Sequence, residues 1–213
     1  MTDSASDDLG HKLRNVVDSA TKEADVLQFL ERHPQIIGTH HHVMGGAIFP
    51  EFPLGRDFRP DFAFIEQISV GTYLYMIEIE DPNQLLFISN DEFSQPFNHA
   101  MTQITDWAGW VGRHQQELNE LFEALEEEHG FSPSGFLQPH CTLIMGRRAK
   151  LSNKRRKDRL QSRVAQMARN LEFRTYDGFI EAMPLVLRED TDNRRCLVNM
   201  RYSGGRWRQG DKT

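Results

Sequence analysis

The chain has 213 residues, 38% of them hydrophobic, and carries 25 basic against 31 acidic side chains for a net charge of -6. That length suffices for one globular domain with a real core. No apolar run approaches the roughly 20 residues needed to span a bilayer, and the acidic opening Met1–Asp8 lacks a secretory leader's basic start and apolar centre. Charge is segregated along the chain. Glu117, Glu120, Glu123, Glu126, Glu127 and Glu128 form an acidic block, and Arg147, Arg148, Lys150, Lys154, Arg155, Arg156, Lys157, Arg159 and Arg163 a basic one. Such segregation leaves room for a polyanion site on an acidic protein. Cys141 and Cys196 have no metal-type spacing, which fits reduced thiols and a cytoplasmic location.

In chain order, residues 1–8 read as disordered, and Leu9, Leu13, Val16, Val17 and Ala20 recur at helical spacing. A second helix is expected from an N-cap at Thr21 to His33-Pro34, with Val26, Leu27, Phe29 and Leu30 as its apolar stripe and Glu23 at the N-terminal end of that face. The run His40-His41-His42 reads as a loop, because three adjacent residues do not share a face. Ala47 to Leu54 reads as an edge strand, interrupted by Pro50 and Pro53. Two further strands follow, one from Asp61 to Glu66 and one from Thr72 to Glu80, joined by a turn at Ser69-Val70-Gly71-Thr72.

Residues 83–95 show no period and read as a mobile loop. A long helix from Pro96 follows, with Phe97, Ala100, Met101, Ile104, Trp107, Ala108 and Val111 on its apolar face, Gln103 turned inward and a possible break at Gly112. Phe97, Trp107 and Trp110 read as core, and His99 and His114 as helix surface. After a loop holding Gly130, Pro133, Gly135 and Pro139 come a strand at Cys141–Met145, a basic helix with Leu160, Val164, Met167 and Leu171, a strand at Phe173–Tyr176, and a helix from Phe179. Leu197–Tyr202 reads as a last strand before a tail rich in Gly and Arg. This order predicts an α/β sandwich with a mixed sheet, its first three strands an antiparallel meander between helices.

The chemistry concentrates in Arg59-Pro60-Asp61-Phe62 and Glu78-Ile79-Glu80-Asp81-Pro82. Alternation along a strand sets Glu78 and Glu80 on the face of Leu74 and Met76. Like charges so close, on a largely apolar strand, repel and are costly to desolvate; a divalent cation would offset that cost. Phosphodiester cleavage needs an activated water, charge neutralisation and help for the leaving oxygen, which Mg²⁺ ions on carboxylate oxygens supply. Asp61, Glu78 and the Ile79 carbonyl are the candidate ligands, with Glu23 joining directly or through water. Taken singly, each residue has a plainer reading. Asp61 would cap a turn, Glu23 would favour a helix dipole, Glu78 and Glu80 would be solvated, and Gln103 would be an ordinary helix residue. Together they point to a site.

In their order and spacing, helical Glu23, Pro60-Asp61, Glu78-Ile79-Glu80 and helical Gln103 resemble the PD-(D/E)XK nuclease superfamily. Leu27–Pro34, Arg59–Phe62, Leu143–Arg147 and Arg174–Phe179 narrow the resemblance to the nuclease domain of the Shedu anti-phage defence proteins, over roughly Glu23 to Ile180. The resemblance implies a restriction-endonuclease-like sandwich, use of Mg²⁺ or Mn²⁺, and DNA as substrate. It assigns Asp61, Glu78, Ile79 and Glu80 to metal, Glu23 to tuning of the site, and Gln103 to the substrate or a site water. The chain departs from the family pattern at Glu80, where that pattern has lysine. A glutamate there either binds metal or acts as a base, or marks a nuclease fold that has lost activity and serves as a binding subunit. Beside such a site, Arg147, Arg148, Lys154, Arg155, Arg156 and Lys157 are candidates for phosphate contact. The expected organisation is an acidic tail and short helix over 1–20, the nuclease domain over 21–180 and a basic extension over 181–213. A homo-oligomer, or a partner protein or activator, is expected to supply specificity.

Overall fold

A six-stranded mixed sheet lies between two helical layers. The computed structural model describes residues 3–38, 41, 43–69, 71–125, 129, 135–151, 153–166, 170–187 and 195–210. His40, His42, Val70, Glu126–Glu128, Gly130, Pro133 and Met167, singled out above, lie outside them. The elements run α1 (Asp3–Ser19), α2 (Glu23–Arg32), β1 (Ala47–Pro50), β2 (Phe62–Ile68), β3 (Gly71–Ile79), α3 (Gln95–Arg113), α4 (Gln115–Ala124), β4 (Leu137–Ile144), α5 (Lys154–Gln166), β5 (Leu171–Arg174), α6 (Tyr176–Leu187), β6 (Cys196–Leu197), β7 (Met200–Ser203) and β8 (Arg206–Gln209). The sheet order is β5-β4-β3-β2-β1-β6, and β7 and β8 form a separate hairpin. Strands β1, β2 and β3 are the antiparallel meander, whereas β4 and β5 continue the sheet in parallel.

Alternation along the central strands explains both layers. Ala63, Ile65, Leu74, Met76 and Leu143 pack on α3, α4 and α5, in a core that includes Met101, Trp107 and Phe122. Phe62, Phe64, Tyr75, Ile77, Ile79 and Ile144 face α1, α2 and α6 through Leu13, Val17, Val26, Leu30 and Met183. Phe97, Trp107 and Trp110 are core residues, as their spacing predicts.

Several boundaries differ from the sequence reading. Residues 3–8, expected to be disordered, continue α1. The N-cap of α2 is Lys22, while Asp25 reaches back to accept a hydrogen bond from the Thr21 N–H at 3.0 Å. Strand β1 is not an edge, since β6 flanks it, but β6 pairs only Ala47 and Ile48 and leaves Pro50 with one open side. Pro139 belongs to β4 for the same reason, because β5 pairs that strand only from Cys141 onward. Leu171 is in β5 instead of the preceding helix, and the long helix breaks at His114, not Gly112. Residues 83–95 are fastened to the body: Leu86 and Phe87 are buried, and Asp91 pairs with Arg156 at 2.6 Å. The tail folds as the β7–β8 hairpin, whose Gly204-Gly205 turn has φ of 60° and 79°, left-handed values that favour glycine. Position 180 falls inside α6.

Met76 lies fully buried directly below Glu78 on β3. Met76→Ala is expected to lower the unfolding free energy by about 2–5 kcal/mol through the cavity it leaves, measured by urea-induced unfolding.

Candidate active site

The carboxylates meet at one end of the sheet because of strand register. Phe62 pairs with Ile77, so Asp61, one residue before β2, stands opposite Glu78. The Ile79 N–H donates to Asp61 Oδ2 at 2.7 Å, fixing that carboxylate across the strand ends. Beyond β3, the Glu80 N–H donates to the Ile144 carbonyl at 3.0 Å, and the buried Tyr176 hydroxyl donates to the Glu80 carbonyl at 2.6 Å. Gly146, two residues past β4, has φ of 68°; a Cβ there would stand 3.2 Å from the Gln84 carbonyl, so the chain passes close behind the site. Glu23 enters from the first turn of α2. Its approach is set by Asn83, whose side chain donates to the Ala20 carbonyl at 2.9 Å and ties the linker between α1 and α2 to the segment after Glu80.

The four acids share one electrostatic environment. Burial, with Glu23, Glu80 and Glu51 nearby, pushes Asp61 up to about 8, against the opposing bond from Ile79. Burial and the charges of Asp61, Glu80 and Glu23 push Glu78 up to about 9, against a hydrogen bond from the Gln103 side chain. Glu80 is raised by burial and by Glu23, with His99 pulling the other way, and Glu23 by burial and Asp81. Asp61, Glu78, Glu80, Glu23 and Gln103 are thus brought together.

Two participants escape the sequence reading. His99 is exposed, as expected, yet it stands beside Glu80 on a cleft of about 560 Å³ lined by Glu80, Gln84, Gln95, Asn98, His99 and Thr102. Its place four residues before Gln103, on the same helical face, is the signal that could have found it. Tyr176 belongs to the stretch Arg174–Phe179 that carries the family resemblance, but nothing local in it points to Glu80; the turn after β5 delivers it there.

The basic candidates divide. Arg147 is held by Asp18 at 2.6 Å and Asp177 at 3.2 Å, Arg148 by Glu181 at 2.6 Å, and Arg156 by Asp91. Lys154, Arg155 and Lys157 are exposed. Lys154 and Arg155 line a groove of about 740 Å³ with Arg159, Arg163, Phe93 and Asn98, and Arg159 lies 5.7 Å from the Phe93 ring centre. Asn98 lines this groove and the acidic cleft alike, so the two adjoin. Elsewhere, His41 lies outside helix and strand and is docked: its Nδ1 lies 3.1 Å from Glu66 Oε2 and its ring packs on Tyr75.

Among the described residues, no three His, Cys, Asp or Glu side chains form a cluster that could hold a metal by themselves. The donor set nonetheless fits a hard cation that keeps several waters and takes only one or two carboxylates. Asp61 and Glu78 are crowded oxygen donors, and no lysine or arginine is paired with either among the described residues.

Comparison with known proteins places residues 20–180 in a match to the family described as Shedu protein SduA, C-terminal. Among solved structures, the chain is similar to restriction endonuclease FokI bound to DNA, with 8% identity and a TM-score of 0.44 over 87% of this chain. It spans 28% of the length of that endonuclease. Comparison with curated proteins finds no match.

The raised acids fix a pH dependence. Their folded values exceed the unfolded ones, so their contribution to stability is present at low pH and is lost as pH rises toward 8–9. Without divalent cation, the melting temperature is expected to fall between about pH 5 and 9, and Asp61→Asn with Glu78→Gln should flatten that fall. Scanning calorimetry with and without Mg²⁺ checks this; the cation should raise the midpoint more at the alkaline end.

Proposed function

The chain belongs to the family of the Shedu protein SduA C-terminal region, and from that premise we propose that it is a divalent-metal-dependent DNA endonuclease acting in defence against foreign DNA. The observation that supports this reading is the convergence of Asp61, Glu78, Glu80 and Glu23 on one another at a sheet end, beside an open cleft. Asp61, Glu78 and the Ile79 carbonyl would hold Mg²⁺ or Mn²⁺, which would supply charge neutralisation on the phosphate and lower the pKa of water.

The remaining roles belong to the chain. The Ile79 N–H holds Asp61 in one orientation, so this carboxylate reaches the cleft already positioned. Gln103 holds Glu78 from α3. Glu80, raised by burial and by Glu23, is a stronger base than an exposed glutamate, which suits it to orient the attacking water and accept its proton. The charge of Glu23 helps maintain that elevation. His99 faces the same cleft, where it can meet the phosphate or the leaving oxygen. Lys154, Arg155, Arg159 and Arg163 continue the path as phosphate contacts, while Arg147, Arg148 and Arg156 serve chiefly to brace the frame through their carboxylates.

Glu80 at the position of the family's lysine favours a second reading, a nuclease-fold subunit that binds DNA or a protein partner without cutting. Plasmid cleavage separates the two. Metal-dependent cutting by the parent, reduced by about 100-fold or more in Asp61→Ala and in Glu78→Ala, is the result expected of the enzyme. A silent parent from which Glu80→Lys gains cutting would establish the second reading instead.

A further inference from the structure

The β7–β8 hairpin lies outside the residues that match the family, and its side chains are sorted by face. Trp207 fastens one face to the body: its Nε1 donates to the Pro53 carbonyl at 2.7 Å, and its ring meets Trp110 edge to face at 6.2 Å. Tyr202 pairs with Trp207 on that same face. The other face carries Arg201, Arg206 and Arg208, all exposed. Arg201 and Arg208 are direct cross-strand partners, an arrangement in which like charges destabilise a hairpin. No carboxylate pairs with any of the three among the described residues, in contrast with Arg147, Arg148, Arg156 and Arg174.

A cavity of about 640 Å³ separates this hairpin from β1 and is lined by Pro50, Glu51, Arg59, Asn199, Arg201 and Tyr202, among others. Arg59 makes a long, exposed pair with Glu51 at 3.6 Å. The cavity adjoins the carboxylates, because the Glu51 N–H donates to the Asp61 carbonyl at 2.8 Å. The shared cavity and the Trp207–Pro53 bond put this hairpin beside β1, on one side of Asp61 and Glu78, whereas the α5 groove lies on the β5 side.

We propose that Arg201, Arg206 and Arg208, with Arg59 across the cavity, form a second phosphate-backbone grip for duplex DNA, on the opposite flank of the acidic cleft from α5. The proposal rests on the nuclease reading for its choice of polyanion. A phosphate backbone lying along the hairpin would neutralise the Arg201–Arg208 repulsion, and a duplex held on both flanks would be steadied over the carboxylates.

The test is binding of a fluorescein-labelled duplex to the full chain by anisotropy, without divalent metal, across a potassium chloride series. Each phosphate contact contributes about -0.9 to the slope of log affinity against log salt. Replacing the three arginines together (Arg201→Gln, Arg206→Gln, Arg208→Gln) is expected to make the slope shallower by roughly 2–3 and to weaken binding, while the matching lysine replacements keep the slope. Arg208→Gln alone, which retains Trp207 and its near-ultraviolet signal, should remove about one contact and raise the melting temperature by relieving the like-charge pair. A slope unchanged in the glutamine variants overturns the proposal. Because this readout needs no cutting, a slope that falls in a protein unable to cleave sustains the grip and sinks the nuclease reading alone.

Discussion

Four carboxylates that repel one another are brought to one end of the sheet by the framework of the fold. Asp61 and Glu78 face each other across β2 and β3, and the Ile79 N–H anchors the first of them. Both strands are buried on their two faces, so neither can slide without exposing Met76, Leu74 or Ile77. The Tyr176 hydroxyl fixes the Glu80 carbonyl, and Asn83 ties in the linker that carries Glu23. The hydrophobic layers thereby enforce an electrostatic conflict at the rim of the sheet. Ordinary folding removes such conflicts; a site for a cation has reason to keep one.

Much of this was legible in the sequence, because strand alternation and register are short-range properties. Alternation from Leu74 to Glu78 fixes which faces are buried, and Pro60-Asp61 beside Glu78-Ile79-Glu80 marks the strand ends. What stayed hidden depends on distant segments. Pro50 read as an interruption of an edge strand and Pro139 as a loop residue; both are in strands, since β6 and β5 are too short to flank them and leave one side open. Residues 83–95 lack periodicity because Leu86 and Phe87 are anchored individually, not by a repeating face. The role of Tyr176 depends on a hydrogen bond across 96 positions, beyond any local pattern. Composition likewise could not show which arginines of the basic block are committed to Asp18, Asp177, Glu181 and Asp91.

Ion pairing divides the basic residues more sharply than sequence position does. Arg147 and Arg148 brace α6 and the end of α1 against the segment after β4, and Arg156 holds the 83–95 segment beneath α5. Exposed Arg155 lines the α5 groove that adjoins the acidic cleft, and exposed Arg201, Arg206 and Arg208 line the outer face of the β7–β8 hairpin. Positive surfaces on both sides of a negative cleft suit a polyanion that crosses it, with a cation between the phosphate and the acids. At Glu80 the chain trades the lysine of the family pattern for one more negative charge. That change raises the demand for a cation and leaves His99 as the nearby group that draws the Glu80 carboxylate toward its charged form.

If Asp61 and Glu78 hold a divalent cation, the full chain takes up Mn²⁺ near pH 8. Titration calorimetry in buffers of different ionisation enthalpy reads both the binding and the protons that Asp61 and Glu78 must release. Saturable uptake with proton release, lost in Asp61→Asn and in Glu78→Gln, is the expected result. No uptake, or uptake unchanged by those substitutions, would contradict the account.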